Sequence, residues 1–336
     1  MSNNNKIEYV KIHNIMVQRL IKSALQFVSV TLEFVKSHQE NVKLKKEDAQ
    51  LYIKEMLHSV LFLLYINKPS IEPQEFMSQR MLESFRRNYS DVLEKYKTHL
   101  PLRPPYSILL DLVVKIMEHD QEDEMILDCL WDLNEKMLIS GMGNEEQMSA
   151  NDFAFSSRVV SCCYFSEKST DFKTRKYFGA SVACKGKIQR EVFIDVACVK
   201  TWHPKVAIGV VNASTGNETL QLPEYVYSTA YRMKSSNTTS CICYKAMPPC
   251  PRCLDIFPNI IFSPEALEVY NAKWEHGNCA ECESVSNLLK AERDLEEAVA
   301  MPLSNNRINR RQQRLIENLR NTRFLLRSNL IYYDSA

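Results

Sequence analysis

Glycine is scarce, with seven in 336 residues. So few leave little material for the glycine-rich loops that cradle phosphates, and no Gly-x-Ser-x-Gly turn is present. Neither a nucleoside-triphosphate enzyme nor a nucleophile-elbow hydrolase is expected. An excess of charge of one sign is also lacking. Lys and Arg number 42 and Asp and Glu 41, so nothing draws the whole chain to nucleic acid or an acidic membrane, and any such affinity must be local. Long apolar runs are missing too: the longest strongly apolar one, VLFLLYI (60–66), falls well short of the roughly 20 residues that cross a bilayer. The N-terminal MSNNNKIEYVKI has no apolar core of the signal-peptide kind, and no internal repeat or low-complexity tract occurs. A cytoplasmic or nuclear protein with no membrane partner is the expectation.

What is present is ordinary material for a folded core, since 45% of residues are hydrophobic and 25% charged. At this length two compact domains are expected. Cysteine is the unusual constituent: there are eleven, and six of them fall between 241 and 282. A reducing compartment argues against a disulfide framework, and the clustering argues for a metal. The sequons at Asn212, Asn217 and Asn237 are then chance matches.

From about 6 to 140 apolar residues recur at three- and four-residue spacing, as in VQRLIKSALQFVSVTLEFVKS and YIKEMLHSVLFLLYI. Breaks at NKPSIEP and HLPLRPP divide this region into four or five helices. GMGNEEQMSAND is polar and glycine-bearing and reads as a linker. After it RVVSCCYF, KYFGASVAC, EVFIDVACV and KVAIGVV are short, β-branched or aromatic, and predict several strands of one sheet, with helix again from about 281. The expected fold is α+β or α/β: an α-helical domain over 1–142, a linker at 143–152, a mixed α/β zinc-binding domain over 153–300, and a basic amphipathic helix over 301–336. In that last helix Ile308, Leu315, Leu319 and Leu326 form one stripe, and seven arginines between 307 and 327 face a single glutamate, Glu317. The bland reading is a solvated helix packed on its own domain. The functional one is a track for phosphates through Arg307, Arg310, Arg311 and Arg314.

Zn²⁺ takes thiolate and imidazole ligands in tetrahedral geometry, and two cysteines two residues apart at a helix start can reach one ion. Cys250 and Cys253 in PPCPRCLDIF have that spacing, and the proline-led helix entry aims N–H groups and the dipole's positive end at the thiolates. After a further 25 residues HGNCAECESVSNLL repeats the spacing with Cys279 and Cys282 at a second helix start. Two architectures compete. In a closed site all four cysteines bind and the zinc is structural. In an open site three bind, water takes the fourth position, and Glu281 stands by as proton shuttle.

SCICYKAMPPCPRC resembles the strand and Pro-Cys-x-x-Cys helix of the cytidine deaminase superfamily, and CAE resembles that family's His-x-Glu motif in the form where cysteine replaces histidine. With serine and leucine following, as in CAECESVSNLL, the chain is similar to the toxin-related, YwqJ-like branch of nucleic acid/nucleotide deaminases. The resemblance covers 240–290 closely and 153–290 as a fold, and it leaves the helical N-terminal region outside. It implies a deaminase-like domain in which Cys250, Cys253 and Cys279 hold zinc and Glu281 is a general acid/base that is not a ligand. It also implies hydrolytic deamination of a cytosine- or adenine-type base in a nucleotide or nucleic acid. The two motifs stand in reversed order here, PCPRC before CAE, so either the chain path is rearranged with the same helix ends still meeting, or the match is a coincidence.

Other residues have weaker credentials. His276 and Cys282 are candidates for a fourth ligand or for the surroundings of the ligands, although a loop histidine is more often simply solvated. Trp274 and Tyr244 could stack on a flat base but are more often core. Cys241 and Cys243 alternate along a strand and share a face. Cys162, Cys163, Cys184 and Cys198 read as strand residues, and His203 as structural. Against the deaminase stands a non-catalytic interaction protein, its zinc site closed and its helical domain binding a protein partner.

Overall fold

A computed structural model describes residues 3–41, 43–117, 122–139, 153–167, 170, 172–184, 186–216, 219–234, 243–266, 272–300, 305–327 and 329–335. The chain divides into two compact units, one of Met1–Pro101, Asp132–Ser156 and Thr322–Ala336, the other of Leu102–Trp131 and Ser157–Asn321. This division differs from the expected one: residues 102–131 join the α/β unit, and the last fifteen residues return to the helical one. The expected linker at 143–152 lies outside the described residues.

The helical unit contains α1 (Asn3–Glu40), α2 (Lys46–Tyr65), α3 (Pro73–Phe76), α4 (Gln79–Asn88) and α5 (Ser90–Lys95). Two further helices, α6 (Pro105–Ile116) and α7 (Asp123–Ile139), complete the N-terminal series, and α7 crosses from the second unit into the first at Asp132. The series therefore has seven members among the described residues instead of four or five. The breaks at NKPSIEP and HLPLRPP are where they were expected, and short helices fill the space between them. VLFLLYI is the last part of α2 with its C-cap Ile66, and burial is uninterrupted from Met56 to Tyr65. A helix that is apolar all round belongs inside a core. Unlike VLFLLYI, the helix over Asn14–Glu40 is long and apolar enough to cross a membrane by length and composition only, its most apolar 18-residue stretch having mean hydropathy 1.2. From it Ala24, Phe27 and Val28 are fully buried in the protein.

The second unit has the order β1 (Val159–Phe165), β2 (Tyr177–Ala180), α8 (Lys187–Val196), α9 (Pro204–Ala213), β3 (Val226–Lys234), β4 (Cys243–Met247), α10 (Pro251–Ile256), β5 (Ile261–Phe262), α11 (Ala280–Ala291), α12 (Arg293–Ala298) and α13 (Asn305–Arg320). The strands form one sheet, β2-β1-β3-β4, antiparallel throughout, with β5 added parallel to β3. β1 is central and covered on both faces, so VVSCCYF reads as a continuous apolar run. Cys163 faces the core that contains Cys250, Cys253 and Cys279, and Cys162 faces Asp123 of α7, its Sγ 3.3 Å from Oδ2.

Two expected strands are helices. EVFIDVACV lies in α8 and a π-helical turn over Ala197–Thr201, and KVAIGVV lies in α9. Their apolar residues are buried in unbroken runs, Val192–Val196 and Val206–Asn212, and a short continuous apolar run cannot be told from a buried strand by period alone. The missed signal is TWHP: Pro204 takes the first helical position, and His203 is the N-cap, its Nδ1 accepting from the Lys205 N–H at 3.3 Å. Cys198 is accordingly helical and Cys184 lies in the loop after β2, both buried. The C-terminal helix stops at Arg320, which leaves Leu326 beyond it.

α11 crosses β2 and β1 closely enough that a Cβ on Gly179 would stand 2.4 Å from the Ala280 carbonyl oxygen and the Ser284 nitrogen, so only glycine fits. Hydrogen bonds hold the crossing. The half-buried Glu283 carboxylate accepts from the Ala180 N–H (2.8 Å) and Ser107 Oγ (2.9 Å), Ser161 Oγ donates to Ser284 Oγ (2.9 Å), and Asn287 Nδ2 donates to the Phe178 carbonyl (2.9 Å).

In the helical unit His58 is fully buried with neither ring nitrogen hydrogen-bonded, and its ring stacks on Tyr333 at 4.0 Å between centroids. Burial first, and then the charges of His99 and Lys95, push its pKa from 6.5 to about 3. The folded chain therefore refuses a proton that the unfolded chain takes up below pH 6.5, and stability falls as pH drops from 6.5 towards 3. Between pH 7 and 5 this one group removes about 2 kcal/mol. Urea unfolding at the two pH values should show His58→Leu losing about that much less than the parent protein; equal losses would contradict the assignment.

Candidate metal centre

The two cysteine motifs meet. Cys250 is the N-cap of α10 and Cys279 the N-cap of α11, each with extended backbone that aims its side chain back across the helix start. Pro251, fixed near helical φ, starts α10 and puts Cys253 one turn inside it. Cys250 Sγ stands 3.5 Å from Cys253 Sγ and 3.2 Å from Cys279 Sγ, and the three sulfurs lie within 4.8 Å of one another, all buried. Neighbouring sulfurs in a tetrahedral zinc thiolate are ~3.8 Å apart, so the triad can hold a metal ion with little rearrangement. The Cys250 thiol is held well below the usual range chiefly by its hydrogen bonds with Cys253 and Cys279, whose own thiols are pushed up by the same contacts. A cation among the sulfurs would displace those two protons.

Cys282 stands outside this triad. Among the described residues no further His, Cys, Asp or Glu ligand atom lies within 4.8 Å of all three sulfurs. The Cys282 side chain is fully buried, and burial raises its pKa first, with the charges of Glu281, Cys198 and Cys250 adding to that. His276 is buried and not solvated, and its Nε2 is 2.9 Å from Asp255 Oδ2 on α10. Glu281, at the second position of α11, is buried next to the triad. Its carboxyl is pushed up to about 7, first by burial and then by the Cys250 thiolate, while its own backbone N–H and a hydrogen bond with Cys253 act the other way. A divalent ion nearby would oppose the rise.

The loop over 274–279 that delivers Cys279 is anchored residue by residue. The Trp274 carbonyl accepts from Arg252 Nε at 3.2 Å, and its buried indole N–H, without an oxygen or nitrogen acceptor, neighbours the Cys250 sulfur and favours its thiolate. Such donors around metal-bound sulfur tune the ion's environment. The Glu275 carboxylate accepts from Arg314 Nη1 at 2.9 Å. Gly277 has φ +95°, and a Cβ there would sit 2.8 Å from Ile194 Cγ2, so glycine is required twice over. The Asn278 carbonyl accepts from the Val182 N–H at 3.2 Å, which joins the loop to the end of β2.

The remaining sequence candidates fall elsewhere. Tyr244, on β4, hydrogen-bonds through its hydroxyl to the Tyr106 hydroxyl at 3.2 Å. Cys241 and the side chain of Cys243 lie outside the described residues. The phosphate track does not form as expected: Arg311 is buried, Arg314 is half-buried, both bind Asp195, and Arg307 bonds Asn212 Oδ1, which leaves Arg310 exposed. Sequence reading missed Asp195, whose only trace is a carboxylate inside the apolar run FIDV, and Asp255, whose spacing from His276 shows only in the fold. It also missed Ser228 on β3, buried with no partner for its Oγ and paired in register with Cys163, whose thiol is pushed up to about 12 by burial with Glu281's charge contributing.

Zinc content after purification and dialysis should drop from about one ion per chain to background in Cys250→Ser, Cys253→Ser and Cys279→Ser, and should stay at one in Cys282→Ser. Loss of the ion in Cys282→Ser with retained folding would contradict the three-ligand set.

Comparison of the chain with protein-family models, with curated proteins and with solved structures finds no match.

Proposed function

We propose that the second unit is a zinc-dependent hydrolytic deaminase acting on an amino-bearing nucleobase, cytosine- or adenine-type, in a nucleotide or nucleic acid. The observation that carries the reading is a buried carboxyl beside three converging thiols, with no fourth protein ligand within reach among the described residues. Resemblance of PCPRC and CAE to the cytidine deaminase motifs supports it. The meeting of Cys250 and Cys279 supports the rearranged path over coincidence, since reversed motif order does not prevent the two helix starts from sharing one point. The features expected of a closed structural site, Cys282 in the ligand set and Glu281 turned to solvent, are both missing.

Bound zinc supplies Lewis acidity that brings a water's pKa close to neutrality. The residues do the rest. Cys250, Cys253 and Cys279 would hold the ion through two helix starts, inside a buried core. Glu281, buried beside the triad, would take one proton from the attacking water and give it to the ring nitrogen, then take the second from the newly bonded oxygen and give it to the leaving amine. A carbon–oxygen bond forms, the exocyclic carbon–nitrogen bond breaks, and ammonia leaves. No oxidant or reductant is needed.

The test is ammonia release from zinc-loaded protein over a panel of cytidine and adenosine nucleosides, nucleotides and single-stranded oligonucleotides. Glu281→Gln should retain its zinc and lose ~10²- to 10⁴-fold in kcat on whichever substrate responds, as expected for a removed general acid/base. Zinc-loaded protein that releases no ammonia from any of them, or a Glu281→Gln variant as fast as the parent, would overturn the reading.

A further inference from the structure

We propose that Arg314, on α13, is a positioning residue for the metal loop over 274–279, so that the basic C-terminal helix is part of the metal centre's scaffold. The inference rests on the metal-binding reading of the cysteine triad but not on any particular reaction.

The geometry is specific to arginine. Asp195 of α8 is fully buried, and Arg314 grips it with two parallel bonds, Nε to Oδ2 at 2.7 Å and Nη2 to Oδ1 at 2.6 Å. The third nitrogen, Nη1, is left to reach Glu275 Oε2 at 2.9 Å. One planar guanidinium thus joins a core helix to the residue four before Cys279. Arg311 supplements it, with Nη1 3.3 Å from Asp195 and 3.7 Å from Glu275, and makes the cluster two cations to two carboxylates. Arg307 on Asn212 and Asn318 Nδ2 on Glu191 Oε2 at 3.1 Å seat the same helix on α9 and α8.

Glu275 stands between two residues that are tied to α10. Trp274 is held through its carbonyl by Arg252 and His276 through its imidazole by Asp255, so α10, which carries Cys250 and Cys253, grips the loop on both sides of Glu275. Arg314 holds the middle point from the opposite element. The Asn278 N–H is 3.4 Å from the Glu275 carbonyl, so displacing Glu275 moves the turn that carries Gly277 and Cys279. A lysine at 314 is a single-point donor: it can neutralise Asp195 but cannot grip it with two bonds and reach Glu275 as well.

The experiment measures zinc affinity by chelator competition on the full chain, together with the visible spectrum of the cobalt-substituted protein. Arg314→Lys and Glu275→Gln should each weaken zinc binding ~10-fold or more and shift the cobalt d–d bands, while Arg310→Gln changes neither. The double variant should be no weaker than the worse single one, because both remove one contact. Wild-type affinity and an unchanged cobalt spectrum in Glu275→Gln would overturn the proposal, even if thermal stability fell. Glu275→Gln decides alone should Arg314→Lys fail to fold, since it leaves Asp195 paired. A parent protein that takes up no zinc would overturn both this inference and the metal centre, whereas zinc uptake without ammonia release would sink only the deaminase reading.

Discussion

Two helix starts that must share one point constrain the second unit more than any other feature. Cys250 and Cys279 cap α10 and α11, and their sulfurs are 3.2 Å apart. For that to hold, α11 has to lie almost in contact with the sheet, which Gly179 permits by having no side chain and which Glu283, Ser284 and Asn287 enforce by hydrogen bonding to β1, β2 and α6. The loop before Cys279 then has to turn inside the core, so Gly277 takes a positive φ where a Cβ would strike Ile194. Both glycines come from a total of seven in the chain, so a residue type that is almost absent is placed where backbone must approach backbone or bend the wrong way.

Burying polar groups on this scale is costly unless each is paired. Asp195 is fully buried with two guanidiniums on it, and the half-buried Glu283 is paired with a backbone N–H and a hydroxyl. Removing one partner of such a cluster leaves an uncompensated charge and costs about 3–5 kcal/mol, well above the worth of a surface pair. Burial raises the pKa of all three carboxyls, and Glu281 differs in its place, beside the cysteine triad, where it is pushed up to about 7. Within one helix, then, Glu283 bonds to β2 and α6 while Glu281 lies beside the cysteine triad.

Much of this was legible in the residues. The N-terminal helices, β1, β2 and the β4–α10 unit, and the convergence of Cys250, Cys253 and Cys279 all follow from local pattern and ligand spacing. α8 and α9 were misread as strands because burial on most of their circumference erases the 3.6-residue period, leaving TWHP as the one local sign of helix. The arginines of α13 looked like a solvent-facing track because sequence shows charge but not partner. Their partners Asp195 and Glu275 are 119 and 39 residues away from Arg314, and only the fold brings them together. Likewise Cys282 has the spacing of a ligand, and only three dimensions show that the turn of α11 carries it out of the triad.

X-ray absorption at the zinc edge of the purified protein tests the central claim, that three thiolates form an open site, most directly. A shell of three sulfurs at about 2.3 Å and one lighter atom at about 2.0 Å is expected. Four sulfurs and no light atom would mean a closed structural site and would contradict it.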